Sequence, residues 1–235
     1  MLIPYHRQIL QEALKKELSP RALKVIIRAN VRQDYLRGQF GHDEYHFDNN
    51  AFEKSYAYIE ENRAMIRPTL EAGKIEDAWA AFGRLTHTAQ DFYAHSNYIP
   101  LWLAQFDGGT APPVPEVVHD DHNITQGPDL RSGKLYYPLE LFSYIPLLKK
   151  IIMPRLPKDS HAWMNLDSPS QGPMFAYTYA AAVKVTRDEW MKTLEGITRE
   201  AKIFFQDIDQ SKPRNQSDFR DYSSRKSLFS YSLIT

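Results

Sequence analysis

His87-Thr88-Ala89-Gln90-Asp91-Phe92-Tyr93-Ala94-His95-Ser96-Asn97 is the stretch around which the rest of the chain is arranged. It lies in a run with helical spacing, Ile75, Trp79, Phe82, Leu85, Ala89 and Phe92. A helix turns about 100° per residue, so His87, Asp91 and His95 share one stripe. Residues four apart on a helix have Cβ atoms roughly 5–6 Å apart. Two imidazoles with a carboxylate between them suit a pair of metal ions about 3.5–4 Å apart, the aspartate offering one oxygen to each. Zinc accepts this mixture of nitrogen and oxygen donors. The plainer alternative is an exposed i,i+4 ion pair worth a few tenths of a kcal/mol. Large apolar residues flank the stripe, which points it into a bundle, where charged groups need partners or a metal. Spacing alone leaves both readings open.

Gly83-Arg84-Leu85, His87, Gln90-Asp91-Phe92-Tyr93 and His95-Ser96-Asn97 together resemble the motif of the zinc-dependent phospholipase C and single-strand nuclease superfamily. The closer branch is the one named for the fungal heterokaryon incompatibility protein C. Weaker similarity runs from His6 to about Trp190. The resemblance implies an all-α, single-domain, irregular helical bundle whose polar centre holds about two zinc ions, or three.

It also implies the ligands. His6 matches the histidine of the third zinc, Asp34 an aspartate of the first zinc that also serves as general base, and His46 the loop histidine of the first zinc. His87 joins the first site, Asp91 bridges, and His95 belongs to the second. His161 matches a histidine of the second zinc, but where the family has glutamate four residues later this chain has Asn165, and Asp167 is the candidate replacement. Some relatives in that superfamily also bind the third zinc through the amino group of an N-terminal tryptophan. No tryptophan precedes Trp79 here, so two metals are easier to defend than three.

Several of these residues have local alternatives. His6 also reads as an exposed histidine near a chain end. Asp34 falls near the end of a helical run, against the macrodipole, which favours a functional reason over a salt bridge to Arg32 or Arg37. Asp48 reads as the N-cap of the following helix, and His42 is a weak alternative ligand. His119-Asp120-Asp121-His122 reads as a solvated acidic turn. Trp79, Trp102 and Trp190 fit the core, while Trp163 and Tyr93 are the better candidates for a cleft wall.

Taken in order, the chain gives amphipathic helices over 6–17, 20–36 (opened by Ser19-Pro20) and 50–72, with Pro68 a candidate bend. A polar loop fills 41–50. The motif helix covers 75 to about 105, kinked or ended at Pro100. Residues 107–138 read as a long loop bordering the cleft, 138–153 as a short apolar helix interrupted at Pro146, and 158–173 as a loop. A last helix spans 174–209. Residues 1–210 form the domain, and 211–235, rich in Ser, Arg, Lys, Asn and Asp, a polar tail.

Composition narrows the function. Net charge is zero, which gives no broad nucleic-acid footprint. There is no cysteine, so Cys-type zinc sites and disulfides are excluded. No signal peptide and no run of transmembrane length is visible, so a soluble chain is expected, a secreted mature form or cytoplasmic. The expectation is a zinc-dependent phosphodiester hydrolase of phospholipase C type, with Asp34 and Asp91 catalytic and a metal-bridging hydroxide as nucleophile. Phospholipid or another phosphodiester is the expected substrate, with transient contact to a membrane surface left open. A single-strand nuclease and a non-enzymatic recognition protein with a structural metal centre are the alternatives.

Overall fold

A computed structural model describes residues 1–39, 41–106, 109–143 and 145–208. The helices are α1 (Ile3–Leu14), α2 (Pro20–Val31), α3 (Leu36–Gln39), α4 (Asp43–His46), α5 (Phe52–Glu71), α6 (Ile75–His95), α7 (Tyr98–Ala104), α8 (His122–Thr125), α9 (Leu139–Ser143), α10 (Pro146–Ile152), α11 (His161–Met164), α12 (Met174–Glu195) and α13 (Arg199–Gln206). No strand occurs among the described residues. Two isolated bridges, Ser96 to Ser132 and Lys134 to Ser160, tie loops together. The fold is all-α.

Helix α6 is the axis, packed by α2, α5, α12, α4 and α13. Every residue from Leu85 to His95 is buried. A helix buried all round is normally apolar all round. Here His87, Thr88, Gln90, Asp91 and His95 are buried instead, so the polar centre must be satisfied inside the bundle. Gly83 lets α2 come close: a Cβ there would lie 2.4 Å from the Ile26 carbonyl oxygen and 2.8 Å from Ala29 Cβ. At the other end of the core Trp79 donates its indole N–H to the Phe205 carbonyl at 2.8 Å, and Trp190 stacks on Phe205, which pins α13 down.

Helix boundaries follow local chemistry. The Ser19 side chain accepts from the Ala22 N–H, with Pro20 in the first turn, so α2 begins as expected. It ends at Val31, earlier than the expected 36, and Asp34 sits in a following 3-10 turn. The expected macrodipole conflict therefore does not arise. Helix α5 runs on through Pro68. The motif run is two helices, and the break falls at Ser96, which is extended (φ −101°, ψ 168°), and not at Pro100. Proline is tolerated in a first helical turn, where its missing N–H has no partner to lose, and Pro100 occupies the first turn of α7. The last run is likewise two helices, broken after Gly196 and restarted by Thr198, whose hydroxyl accepts from the Ala201 N–H. The expected tail, 211–235, lies outside the described residues.

The stretch after α7 is not one loop over the cleft. Val117 is fully buried and Ile124 nearly so. Tyr93 and Tyr98 donate to the carbonyls of His119 and Val118. Only its end, at Leu135 and Tyr137, reaches the cleft described below. None of the helices is long and apolar enough to cross a membrane.

Candidate metal centre

All eight residues singled out from the sequence converge on the buried His87–Asp91–His95 stripe of α6. Asp91 is the hub. Its Oδ2 lies 2.9 Å from His46 Nδ1 and 3.0 Å from His87 Nε2, and those two ring nitrogens are 3.2 Å apart. Its Oδ1 lies 3.2 Å from His6 Nε2. Asp34 closes this side, 3.7 Å from His87 Nε2 and 3.8 Å from His6 Nε2. On the other side His95 Nε2 is 3.1 Å from Asp167 Oδ1 and 3.9 Å from Asp91 Oδ1, and His161 Nε2 is 3.9 Å from Asp167 Oδ2.

The rings are aimed by partners outside the cluster. His6 donates Nδ1–H to Gln90 Oε1 at 2.6 Å, and Gln90 is held in turn by donating to the Thr186 hydroxyl. His46 donates Nε2–H to the Gly38 carbonyl at 3.3 Å. His95 donates Nδ1–H to the His46 carbonyl at 2.8 Å. His161 donates Nδ1–H to Asp48 Oδ1 at 2.8 Å. In each case the other nitrogen faces Asp91 or Asp167, where it can carry a proton or offer a lone pair to a cation. Metal-ligating histidines are oriented by this kind of outer hydrogen bond. His87 faces the cluster through Nε2, while its Nδ1 is buried without a partner, for which the surroundings offer no account.

The backbone between His46 and Asn50 sets two of these groups. Phe47 has left-handed torsions (φ 59°, ψ 21°), a conformation that costs a bulky residue of order 1–3 kcal/mol. Its ring is fully buried against Phe52, Tyr56 and Phe92, which holds the strain. The reversal points both His46 and Asp48 inward. Asn49 and Asn50 then stitch the loop to 132–135, through Asn49 N–H to the Gly133 carbonyl and a reciprocal pair between Asn50 and Ser132. Gly133 passes so close to α11 that a Cβ would lie 2.5 Å from His161 Cα. This contact and the His161 N–H bond to the Lys134 carbonyl locate His161. The Leu166 N–H bond to the Ala94 carbonyl brings Asp167 beside α6.

Charges in the cluster are mutually dependent. Burial works against ionisation of Asp91, yet the Met1 amino group and His95 hold its carboxyl well below the usual range. Asp48 and Asp167 are held down likewise, against burial, by His161 and His95 and by the Met1 amino group and His95 respectively. Burial pushes His87 down to about 4, so it stays neutral. Burial also lowers His46 and His95, but Asp91 and the neighbouring aspartates outweigh it and raise both. Those carboxylates favour a cation beside them, so a metal ion would compete with protons for the same ring nitrogens.

The sequence reading missed three participants. Asp48 is not the N-cap of α5, which has no side-chain cap; it orients His161 and lies 3.4 Å from His95 Nδ1. Gln90 was legible only as a polar residue beside Asp91. The Met1 nitrogen lies 2.5 Å from Asp91 Oδ1 and 3.0 Å from both Asp167 Oδ1 and His95 Nε2. Burial lowers this amino group, but Asp167, Asp91 and Asp34 raise it to about 11. Asn165 turns away from the cluster, bonding to the His161 carbonyl and Gln171. His42 pairs with Glu44 at 3.0 Å, and His119 with Asp188 at 2.7 Å.

A cleft of about 460 Å³ opens onto the cluster, lined by Asp34, Gln39, His46, Asp48, His95, Glu140, His161 and Asp167 together with the apolar Leu2, Leu135, Tyr137 and Leu141. Neither Tyr93 nor Trp163 forms its wall, contrary to expectation. Tyr93 is in the core, and Trp163 carries Lys158 over its ring, 3.2 Å from the centroid.

Fold and site thus define a helical domain built around a buried histidine–aspartate centre. The chain belongs to the VWA7 N-terminal domain family, whose model matches residues 7–125. That span contains Asp34, His46, His87, Asp91 and His95. No curated protein and no solved structure matches the chain.

Proposed function

We propose that this protein is a zinc-dependent phosphoric diester hydrolase of phospholipase C type. The observation that carries the reading is the set of five histidine ring nitrogens turned toward Asp91 or Asp167, four of them, on His6, His46, His95 and His161, aimed by an outer hydrogen bond from the opposite ring nitrogen. The donors fit zinc. Tetrahedral zinc takes His nitrogen and carboxylate oxygen at about 2.0–2.2 Å, so ligand atoms around one ion stand a little over 3 Å apart. His46 Nδ1, His87 Nε2 and Asp91 Oδ2 stand 2.9, 3.0 and 3.2 Å apart, close to that spacing. His6 Nε2 and Asp34 Oδ2 are buried with no hydrogen-bond partner, as groups awaiting a cation would be.

Asp34, His46, His87 and Asp91 would hold one zinc, and His95, His161, Asp167 and Asp91 a second, with His6 beside the Asp91 oxygen of the second set. Bound zinc supplies a water acidic enough to ionise near neutral pH and positive charge against phosphoryl oxygens. The chain's own residues do the rest. Asp34 lies between cluster and cleft and is placed to accept a proton from the attacking water. Asp48 keeps His161 in one tautomer, and Gln90 does so for His6. Leu135, Tyr137 and Leu141 shield one wall from water and suit the apolar body of a lipid headgroup ester. Among the described residues lining the cleft there is no lysine or arginine, whereas single-strand nucleic-acid grooves need a track of positive charge. This favours a phospholipid over a polynucleotide.

The test is metal analysis paired with turnover. Protein equilibrated with zinc at neutral pH should retain about two ions per chain, the number two ligand sets around one bridging carboxylate accommodate. It should cleave a short-chain phospholipid faster than single-stranded DNA. A chain that takes up no zinc would end the hydrolase reading, and faster cleavage of DNA, suppressed by salt, would reassign the substrate. Zinc retained with no turnover of either substrate would favour a recognition protein with a structural metal centre.

A further inference from the structure

Beside the cleft, α9 and α10 expose apolar side chains that no part of the described fold covers. Leu147 is 88% exposed and Ile151, one turn later on the same stripe, 53%; Leu141, Phe142 and Ile145 are also exposed. An exposed apolar surface of this kind normally marks a contact site. Its charge is one-sided. Between Leu141 and Lys158 the chain carries Lys149, Lys150, Arg155 and Lys158, all exposed, and no aspartate or glutamate. None of the four has a carboxylate within ion-pair distance among the described residues: Arg155 turns to the Ile151 carbonyl, and Lys158 covers the Trp163 ring. The acids at the ends of this segment are occupied. Glu140 is buried and bound to the Ala162 N–H, and Asp159 pairs with Lys134. The chain as a whole is neutral, so this local excess of positive charge stands out.

We infer that α9 and α10 form a docking surface for an anionic lipid bilayer, seated so that the mouth of the metal cleft faces the headgroups. Helical segments with apolar side chains flanked by lysine and arginine bind such interfaces by burying the apolar groups among acyl chains while the cations meet the headgroups. Leu141 belongs to both the surface and the cleft wall, and the exposed Leu2 and Tyr137 lie on the same rim. Docking would therefore present the site to its substrate in the plane of the membrane. This orientation rests on the phospholipase reading, but the lipid contact itself does not.

The intact chain is tested by flotation with vesicles of phosphatidylcholine alone and with phosphatidylserine added, in the presence of chelator so that turnover plays no part. The expected result is binding to the anionic vesicles, weakened at high salt, and weaker still or absent with phosphatidylcholine alone. Leu147→Glu with Ile151→Glu, and separately Lys149→Glu with Lys150→Glu, should each reduce that binding about tenfold or more, since both apolar burial and surface charge contribute. Leu147 and Ile151 are solvent-facing, so an unchanged circular dichroism spectrum is expected for the first variant. Hydrolysis of a soluble short-chain substrate should survive both variants. Wild-type binding that neither variant alters, or no binding at all, overturns the inference. Loss of a wild-type dimer in the Leu147→Glu, Ile151→Glu variant, without lipid binding, assigns the surface to a second copy instead. Vesicle binding by a chain that, in a separate assay loaded with zinc, hydrolyses no phosphodiester would sink the hydrolase reading and leave the docking surface standing.

Discussion

At the residue scale the centre depends on Asp91 more than on any one histidine. Its two oxygens face different partners, His46 and His87 on one side and His6 on the other, with His95 beyond. Asp91→Ala should therefore release more zinc than any other single substitution. His95→Ala should leave the His46–His87 side loaded and weaken the other, whereas His122→Ala, on the distant α8, should change nothing. Zinc titration with a chromophoric chelator measures all three, and loss of zinc in His122→Ala with retention in His95→Ala would refute the ligand assignment. A second expectation concerns an outer group. Gln90→Leu removes the acceptor that fixes His6, and loss of such an orienting partner typically weakens metal binding by about 10–100-fold. Equal zinc affinity in Gln90→Leu would show that His6 is held by packing against His87, whose ring it stacks on at 4.2 Å.

At the scale of elements, two glycines where backbones of different segments come close, Gly83 and Gly133, make the sharpest test. In Gly83→Ala the new methyl would meet the Ile26 carbonyl oxygen and Ala29, so α2 and α6 must separate. Such overpacking costs about 1–3 kcal/mol, to be read as a lower urea midpoint at unchanged slope. Gly196→Ala is the control. It follows α12 in a helical conformation, and beyond its chain neighbours the nearest atom to an added Cβ is the Thr193 carbonyl oxygen at 3.7 Å, so its stability should be equal or slightly higher, by about 0.4–1 kcal/mol. Gly133→Ala should act on the site, because its methyl would displace His161, and zinc at the His95 side should fall while the fold persists. The element boundaries were legible wherever a cap was written locally, as at Ser19-Pro20. They were misread where a proline drew attention from its surroundings: Pro100 fits a first turn, and the real break, at Ser96, is set by cross-chain bonds from Asn97 N–H to the Arg131 carbonyl and from Gly133 N–H to the His95 carbonyl.

At the scale of the molecule, the centre joins α1, the turn after α2, α4, α6, α11 and the segment after α11. A ligand that binds only the folded arrangement stabilises it by mass action, by about 2.7 kcal/mol at a free concentration one hundred times its dissociation constant. Thermal unfolding of the intact chain should accordingly shift upward with added zinc and return on chelation. A transition that ignores zinc would mean that the folded chain gains nothing from the metal. The sequence alone determined the all-α class and the buried axis, because apolar residues at helical spacing bury one another whatever lies around them. It also determined the His87–Asp91–His95 stripe, since a helix places residues four apart on one face. The tertiary structure alone decided that Asp48 orients a histidine and does not cap a helix, that Asp167 and not Asn165 faces His95, and that Val117 is core. Each of those outcomes hangs on a bond between segments far apart in the chain, such as Leu166 N–H to the Ala94 carbonyl or Asn49 N–H to the Gly133 carbonyl, and local spacing carries no record of which distant carbonyl an amide will meet.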